Sequence, residues 1–155
     1  MKVRLFQPED TEQIARLFYD TVRNINIRDY SPARVMAWSP EDLYWRNWLE
    51  LCSTRFTYVA VDNQKILGFG ELEANGHIDC FYIHYQYQRR GVGSSIYKAI
   101  EAKAKELNST RLFTEASITA KPFFIEHGFK VINPQQVSCR GQTFTNYSME
   151  KELFD

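Results

Sequence analysis

The stretch of sequence that decides the fold reads FYIHYQYQRRGVGSSI and covers residues 81–96. It begins as an apolar strand, turns, and opens a helix with the pattern Gln-x-x-Gly-x-Gly. Gly91 and Gly93 lack a Cβ, so they leave the backbone N–H groups at the helix start uncovered, where the helix dipole is positive. The pattern therefore predicts a cradle for a pyrophosphate and makes a phosphate-bearing ligand the first hypothesis.

Before this stretch, three apolar or β-branched segments predict successive antiparallel strands. The segments are 56–61, 66–72 and 77–84. Asp62-Asn63-Gln64 and Asn75-Gly76 lie between them and are turn signals typical of hairpins. The chain is therefore expected to reach the glycine motif as an antiparallel meander.

The remaining segments alternate between helix and strand. Upstream, a strand at 3–5 and a helix from Asp10 or Thr11 to Ile25 precede residues 30–51, where two short helices are expected, the second capped by Ser39-Pro40-Glu41-Asp42. Downstream, the pattern predicts a helix from Gly91 to near Asn108, a strand at 111–115, a helix at 119–127, a strand at 129–132, and a hairpin of 137–139 with 143–149. The order β-α-α-β-β-β-α-β-α-β-β predicts a single α/β domain over residues 1–155, with a mixed (α+β) sheet and helices on both faces.

Charge and cysteine content restrict the partners and the location. Lys plus Arg equals Asp plus Glu at 19 each, so net charge would not attract a nucleic acid. Cys52, Cys80 and Cys139 are odd in number and lack Cys-x-x-Cys spacing, which argues against a disulfide framework or a zinc site. No apolar run approaches the roughly 18 residues of a membrane span. These features favour a soluble, cytoplasmic protein with no membrane or nucleic-acid partner and no metal.

Two common phosphate signatures do not fit the glycine motif. The run lacks the Gly-Lys-Ser/Thr of a P-loop, and Ile96 stands where a dinucleotide fingerprint has its third glycine. A Rossmann loop also follows its strand directly within a parallel βαβ unit, whereas here the glycines follow an antiparallel meander and a longer connection. A nucleotide-binding oxidoreductase is therefore the weaker alternative.

Three segments together carry a family pattern. Gln88–Gly93 fits a Gln/Arg-x-x-Gly-x-Gly/Ala loop, residues 81–84 followed by Tyr87-Gln88 match a Leu-Tyr-Val-His then Tyr-Gln segment, and Ala120–Phe129 is similar to an Ala-x-x-Phe-Tyr-x-x-x-Gly-Phe block. In these segments, and in the order of its elements, the chain resembles the GNAT superfamily of acyl-coenzyme-A-dependent N-acyltransferases.

The resemblance implies a GNAT-like fold with splayed central strands, acetyl-CoA (coenzyme A) as co-substrate, and no metal. The pantetheine arm would enter between the strand that bears Phe81, Tyr82 and Ile83 and the strand at 111–115, and would pair with main-chain groups of Phe81 and Ile83. The pyrophosphate would lie against the glycine loop. The predicted cofactor contacts there are Gln88, Arg89, Arg90, Gly91, Val92, Gly93 and Ser94.

Acetyl transfer to an amine needs a proton acceptor, because a free alkylammonium has a pKa of about 10. By resemblance, His77 lies where some GNAT enzymes have a general-base glutamate, and Asp79 shares its face two residues on. Both are candidate catalytic residues. Since His77 follows Asn75-Gly76, a simple turn position is the alternative for it. A main-chain N–H near Tyr82 or Ile83 would meet the thioester oxyanion.

Phe124 on the later helix and Ser117 before that helix are further predicted cofactor contacts. Phe124 stands where many family members have a tyrosine that protonates the departing thiolate, and a phenyl ring donates no proton. Water, Tyr97 or Tyr147 would then take that role, or the thiolate leaves unassisted. Ser117 stands where the family often has an asparagine at the cofactor, and its alternative role is to cap the next helix.

Aromatic residues between the first helix and the second strand are expected to wall the acceptor site. Tyr30 and Trp38 are the best exposed candidates, because prolines favour an irregular chain there. Packing on the sheet or a homodimer contact is the alternative. The predicted function is transfer of an acetyl group from acetyl-CoA to the amine of a small molecule or peptide. A catalytically weak CoA-binding sensor or interaction module is the competing hypothesis, motivated by Phe124.

Overall fold

A seven-stranded sheet forms the centre of the computed structural model, which describes residues 1–154. The strands are β1 (Lys2–Leu5), β2 (Phe56–Asp62), β3 (Lys65–Leu72), β4 (His77–Ile83), β5 (Arg111–Ser117), β6 (Lys130–Cys139) and β7 (Gln142–Glu152). Their spatial order is β1-β2-β3-β4-β5-β7-β6. Neighbouring strands are antiparallel except for β4 and β5, which are parallel. The predicted antiparallel meander, β2 to β4, is confirmed.

Five α-helices cover the two faces of the sheet. They are α1 (Thr11–Asn24), α2 (Pro32–Trp38), α3 (Trp48–Thr54), α4 (Val92–Glu106) and α5 (Lys121–Glu126). Ile96 and Ile100 of α4 and Phe124 of α5 belong to one buried core. Phe18 of α1 and Trp48 of α3 belong to the other. The predicted α/β class, with a mixed sheet and helices on both faces, is confirmed. Within residues 1–154, no helix has the length and apolar character that crossing a bilayer requires.

Two predicted boundaries are wrong for local reasons. The two short helices expected within residues 30–51 are present as α2 and α3, but α3 begins at Trp48, where the Asn47 side chain accepts a hydrogen bond from the Glu50 N–H at 3.1 Å. Ser39-Pro40 instead lies at the end of α2. The segments expected as separate strands at 129–132 and 137–139 form one strand, β6, because β7 is long enough to pair with its whole length.

The parallel pair β4 and β5 stays together over only two residue pairs. His77 lies opposite Phe113 and Ile78 opposite Thr114, and no pairing follows, although both strands continue. A register shift in the β3–β4 ladder marks a bulge at the same level of β4. The central strands are therefore splayed, as the fold prediction required, and a gap opens beyond Ile78 and Thr114.

Gly76 fixes the point at which the two parallel strands meet. It has φ +96° in the β3–β4 turn, and its carbonyl accepts a hydrogen bond from the Phe113 N–H at 3.0 Å. A Cβ at this position would lie 2.2 Å from the Arg111 carbonyl oxygen. This turn therefore needs glycine both for its dihedral angles and for space.

We expect Gly76→Ala to destabilise the fold by more than the roughly 1–2 kcal/mol that left-handed strain alone costs, because the new methyl group also displaces the β5 backbone. Gly141→Ala is the matched control, since Gly141 has φ +80° but a Cβ added to it would have no atom within 4 Å. Urea unfolding of both variants measures the difference. Equal losses would show that the close approach to Arg111 is unimportant.

Candidate active site

A cavity of about 470 Å³ fills the gap between β4 and β5. Its walls come from α1, α2, β4, β5, α5 and β7. One part lies beside Phe81, Ile83, Phe123 and Phe124, and another beside Phe18, Trp38, Trp45 and Phe144. The splayed strands therefore create a long, largely apolar site that reaches both faces of the sheet.

Main-chain groups of β4 face this gap. The His84 N–H donates to the Leu67 carbonyl at 2.8 Å, so the next residue back, Ile83, is a non-bonded position of the antiparallel ladder. Phe81 is the next such position, because the register is unbroken from Gly70 to Gly68. The N–H and C=O groups of Phe81 and Ile83 therefore point away from β3.

Gln88 closes the end of β4. Its Nε2 donates to the Ile83 carbonyl at 2.7 Å, and the Thr21 hydroxyl donates to the same oxygen at 3.1 Å. The carbonyl of Ile83 is thus already satisfied by side chains, whereas its N–H still faces the gap. Gln88 also lines the cavity.

The glycine motif forms the uncapped start of α4. Gly91 is the residue before the helix, with φ +80°, and no side chain caps the first turn. Arg89 also has a positive φ, +59°. Arg89 and Arg90 are exposed, and the Arg90 guanidinium lies 5.3 Å from the Tyr87 ring centroid. The N–H groups of Val92, Gly93 and Ser94 are therefore free for an anion at the positive end of the helix dipole.

Gly93 has a packing role that the sequence pattern does not show. A Cβ on Gly93 would lie 2.9 Å from Cε1 of Phe123, whereas Gly91 has nothing within 4 Å of that position. Gly93 therefore allows α4 to approach α5. Val92 is buried in the core, so only its main chain is available to a ligand.

Phe124 and Ser117 both line the cavity. The Phe124 ring is buried against Phe81, with centroids 5.7 Å apart. The Ser117 hydroxyl accepts a hydrogen bond from the Ala120 N–H at 3.0 Å, in the turn before α5. The N-cap of α5 is Ala120, and no side chain caps the helix, so the N-cap alternative for Ser117 is wrong. The Tyr97 hydroxyl accepts from Lys151 Nζ at 3.0 Å, burial raises its pKa, and neither Tyr97 nor Tyr147 lines the cavity.

Tyr30 and Trp38 line the cavity, but the exposure expected for Tyr30 is wrong. Tyr30 is 8% exposed, and its hydroxyl donates to the Thr145 carbonyl at 2.8 Å and accepts from the Ile118 N–H at 2.9 Å. The chain here is the regular helix α2, because Pro32 occupies its first turn, where proline is tolerated. Tyr30 therefore connects strand β7 to the end of β5 in the cavity wall.

A network of ion pairs closes the cavity where the strands separate. Arg46 makes a two-point contact with the fully buried Glu71, with both N–O distances 2.9 Å, and also contacts Asp79 at 3.0 Å. Arg55 contacts Glu71 at 3.0 Å and Asp79. Burial alone would raise the pKa of Asp79, but its hydrogen bond with Arg55 and the two guanidinium charges lower the pKa below its usual value. Asp79 is therefore a fixed, ionised carboxylate that lines the cavity.

His77 lies behind this point, between two carboxylates. Its Nδ1 is 2.5 Å from Glu73 Oε2, and its Nε2 is 2.7 Å from Glu115 Oε1. Burial alone would lower the pKa of His77, but the hydrogen bonds with Glu73 and Glu115 raise the pKa above its usual value. His77 is absent from the cavity wall, whereas Glu115 is part of it. A protonated His77 has no free lone pair, so Glu115 stands between it and any ligand in the cavity.

Sequence comparison identifies the family. Residues 26–151 match the acetyltransferase (GNAT) domain family. The chain belongs to the GNAT acetyltransferase family. It is 34% identical over 149 residues to a protein named uncharacterized N-acetyltransferase YafP from Escherichia coli K12, covering 96% of this chain and 94% of that protein.

Solved GNAT structures share the fold. A GCN5-related N-acetyltransferase from Rhodopseudomonas palustris is 28% identical, with a TM-score of 0.91, and the match covers 98% of this chain and 95% of that one. The PaiA N-acetyltransferase from Thermoplasma acidophilum, solved with coenzyme A, is 16% identical, with a TM-score of 0.79 and coverage of 97% and 98%. The GNAT family suggested by the three sequence segments is therefore confirmed.

Sequence reasoning missed the charged residues that surround the two catalytic candidates. Arg46 lies in an irregular connection and Glu115 near the end of a short strand, so neither belongs to a local motif. The carboxylate of Glu71 is committed to two guanidinium groups. One sequence signal could have linked Glu115 to Asp79. Asp79 is two residues after His77 and Glu115 two residues after Phe113, and in the structure both directly follow the last paired residues of β4 and β5.

We expect Glu71→Gln to destabilise the protein by about 3–5 kcal/mol, because it leaves the two guanidinium groups of Arg46 and Arg55 with too little negative charge in a buried position. Glu150→Gln is the control. Glu150 pairs with Arg111 at 3.0 Å on the exposed side of the sheet, where an ion pair contributes about 1 kcal/mol or less. Chemical denaturation of both variants measures the change in the free energy of unfolding. Similar decreases would show that the buried ion pairs stabilise the fold no more than an exposed pair does.

We also expect His77 to titrate above the ordinary histidine pKa of about 6.5, and Glu73→Gln to lower that pKa. The interaction with Glu73 and Glu115 favours the protonated form, so its stabilising effect is complete below the unfolded pKa and is lost as pH rises through the folded pKa. NMR titration of the histidine ring signals measures this. His84, whose pKa burial and Lys65 lower, is the internal reference. A His77 pKa at or below that of His84 would contradict the geometry.

Proposed function

We propose that the protein transfers the acetyl group of acetyl-CoA to the primary amine of an acceptor. The observation that supports this most directly is the cavity between β4 and β5, which extends from Gln88 and Phe123 to the carboxylates at the strand split. Phe123 lies next to Gly93, so this end of the cavity borders the uncapped start of α4. Membership of the GNAT acetyltransferase family and the coenzyme A bound by the PaiA relative support the same donor.

The residues of this chain fit such a donor at three points. The uncapped N–H groups of α4, with Arg89 and Arg90 near the surface, suit a pyrophosphate. The free main-chain groups of Phe81 and the N–H of Ile83 suit the amides of a pantetheine arm, which would pair with them as a substitute strand. Phe123 and Phe124 provide the apolar wall beside it.

When bound, the thioester supplies an activated acetyl carbon. The chain's own residues would then have three tasks. Asp79 would hold the acceptor's ammonium, Glu115 would take a proton from it, and His77 would pass that proton on to Glu73. The sequence-based assignment of His77 and Asp79 as catalytic residues thus becomes a proposal in which His77 acts through Glu115. The transfer needs neutral His77, because only the neutral ring has a lone pair for the incoming proton.

The departing thiolate finds no phenol at the position of Phe124. Among the residues that the structure describes, the tyrosines of the cavity wall are Tyr30, whose hydroxyl is engaged, and Tyr82. A thiolate is a modest base, so protonation by water is sufficient for release. A phenylalanine at position 124 is also what a CoA-binding sensor without turnover would have. Measurement of thiol release distinguishes the sensor from the transferase.

The first test concerns the donor. We expect coenzyme A to raise the melting temperature of the wild-type protein, because a ligand that binds only the folded state stabilises it by mass action. Ser94→Glu should remove that shift. A glutamate at the third position of α4 favours the helix start but places its own carboxylate against the free N–H groups.

Ala102→Glu is the matched control, since it adds the same charge to an exposed position of α4, about 12 Å along the helix. It should keep the thermal shift. A shift that survives Ser94→Glu would place the pyrophosphate elsewhere. Release of thiol from acetyl-CoA in the presence of amines supports the transferase, whereas tight binding of coenzyme A without thiol release from any amine would identify the sensor.

A further inference from the structure

We infer that the acceptor is a primary amine with a single positive charge on an apolar, ring-sized body, and that its ammonium group binds between Asp79 and Glu115. This inference depends on the proposed acetyl transfer and names the substrate class for it. Four features of the structure carry it: the register of β4 and β5, the accessibility of the charges, the net charge of the network, and the aromatic wall.

The register places the two carboxylates side by side. Ile78 and Thr114 are the last paired residues of the parallel strands, so Asp79 and Glu115 are the first residues on either side of the gap. Alternation along each strand puts them on the same face as His77 and Phe113, whose rings are in contact at 5.0 Å. An ammonium group at this point would meet both carboxylates at the mouth of the split.

The charges that a ligand can reach at this end of the cavity are negative. The side chains of Arg46 and Arg55 are only 9% and 17% exposed, whereas those of Asp79 and Glu115 are 36% and 42% exposed. The guanidinium groups are also turned towards carboxylates, chiefly the buried Glu71. A ligand therefore meets carboxylate oxygens first.

The network as a whole also carries excess negative charge. Its positive groups are Arg46, Arg55 and a protonated His77, and its negative groups are Glu71, Glu73, Asp79 and Glu115. Three positive and four negative charges leave one negative charge, and a neutral His77 leaves two. A single bound ammonium balances the network when His77 is protonated and leaves one negative charge when His77 is neutral, whereas an anion would add to the excess.

The rest of the cavity wall combines aromatic residues with neutral polar ones such as Asn26 and Asn146, and its described residues offer no second cationic contact. Phe18, Trp38, Trp45, Tyr82 and Phe144 line it. Among the described residues of the cavity wall, Arg46 is the sole lysine or arginine, and its two terminal nitrogens already contact Glu71 and Asp79. A carboxylate or phosphate on the acceptor would therefore lose its hydration without gaining a partner. A planar or branched apolar group, in contrast, finds matching walls.

The transfer step balances with these groups. The bound ammonium loses one proton to Glu115, and the neutral nitrogen then forms the new N–C bond as the C–S bond breaks. The nitrogen gives its second proton to water as it becomes an amide, the sulfur leaves as thiolate, and the thiolate takes a proton from water, so these two exchanges cancel. The products are the acetamide, coenzyme A thiol and one released proton, which the Glu115–His77–Glu73 line carries to the surface.

The test compares three amines at equal acetyl-CoA concentration, with thiol release as the readout. They are 2-phenylethylamine, L-phenylalanine, which adds a carboxylate to the same skeleton, and spermidine, which has several charges and no ring. We expect kcat/KM for 2-phenylethylamine to exceed that of both others by roughly tenfold or more, because the site leaves an extra charge unpaired.

Two variants test the ammonium site. Asp79→Asn and Glu115→Gln should each raise the KM for 2-phenylethylamine by roughly tenfold, the loss expected for a hydrogen bond between charged groups, and leave the KM for acetyl-CoA unchanged. Glu126→Gln, which removes an exposed carboxylate of α5, should change neither value. The side chain of Glu115 is more exposed than that of Asp79, so we expect Glu115→Gln to remain folded. If Asp79→Asn is too unstable to assay, Glu115→Gln still tests the ammonium site.

The outcomes are distinguishable. A preference for L-phenylalanine or spermidine, or an unchanged KM in both variants, would overturn the inferred acceptor class and leave acetyl transfer standing. Failure of all three amines, with a wider set of amines and peptides still releasing thiol, would also overturn it. Binding of coenzyme A with no thiol release from any acceptor would instead overturn the proposed function.

Discussion

The early end of the pairing between β4 and β5 is the constraint on which the rest of the structure depends. Two parallel strands that separate after two residue pairs would normally leave costly unpaired main-chain groups. Each strand here keeps an antiparallel partner on its outer side, β3 for β4 and β7 for β5, so the sheet remains connected around the gap. The gap ends beside Gln88 and Phe123 on one side and at the ion-pair network on the other, and it leaves the outward main-chain groups of β4 without a strand partner.

The ion-pair network holds the closed end of that gap. Buried ion pairs stabilise a fold little compared with apolar packing, because desolvation offsets their attraction. The arrangement here has another consequence, since Arg46 and Arg55 hold Asp79 ionised and in one orientation beside the cavity. Arg46 comes from the connection before α3, so the network also fixes the aromatic wall of the acceptor end relative to the central strands. Charge and shape at the site are therefore set by the same contacts.

Most of the fold could be predicted from the sequence, because its strands, turns and glycine motif are local signals. The meander, the helix after Gly91 and the splayed strands all agree with the structure. The helix at Trp48 could not be placed, since its cap is Asn47 rather than the more conspicuous Ser39-Pro40. Only part of the candidate site could be predicted from the sequence. Arg46 contacts Asp79 and Glu115 contacts His77, over sequence separations of 33 and 38 residues, and no local periodicity indicates such contacts.

His77 shows how a residue type found by sequence can take a different role in its surroundings. A lone imidazole beside a cavity would be a terminal base, with one nitrogen free to accept a proton. In this structure both ring nitrogens are engaged, and the two carboxylates differ in position, since Glu115 lines the cavity and Glu73 lies in the β3–β4 turn. A neutral His77 can therefore accept a proton at Nε2 and release one at Nδ1 without rotating. The raised pKa works against that transfer at low pH, because it keeps the ring protonated, and so the same two hydrogen bonds that align the path also set the pH above which it can operate.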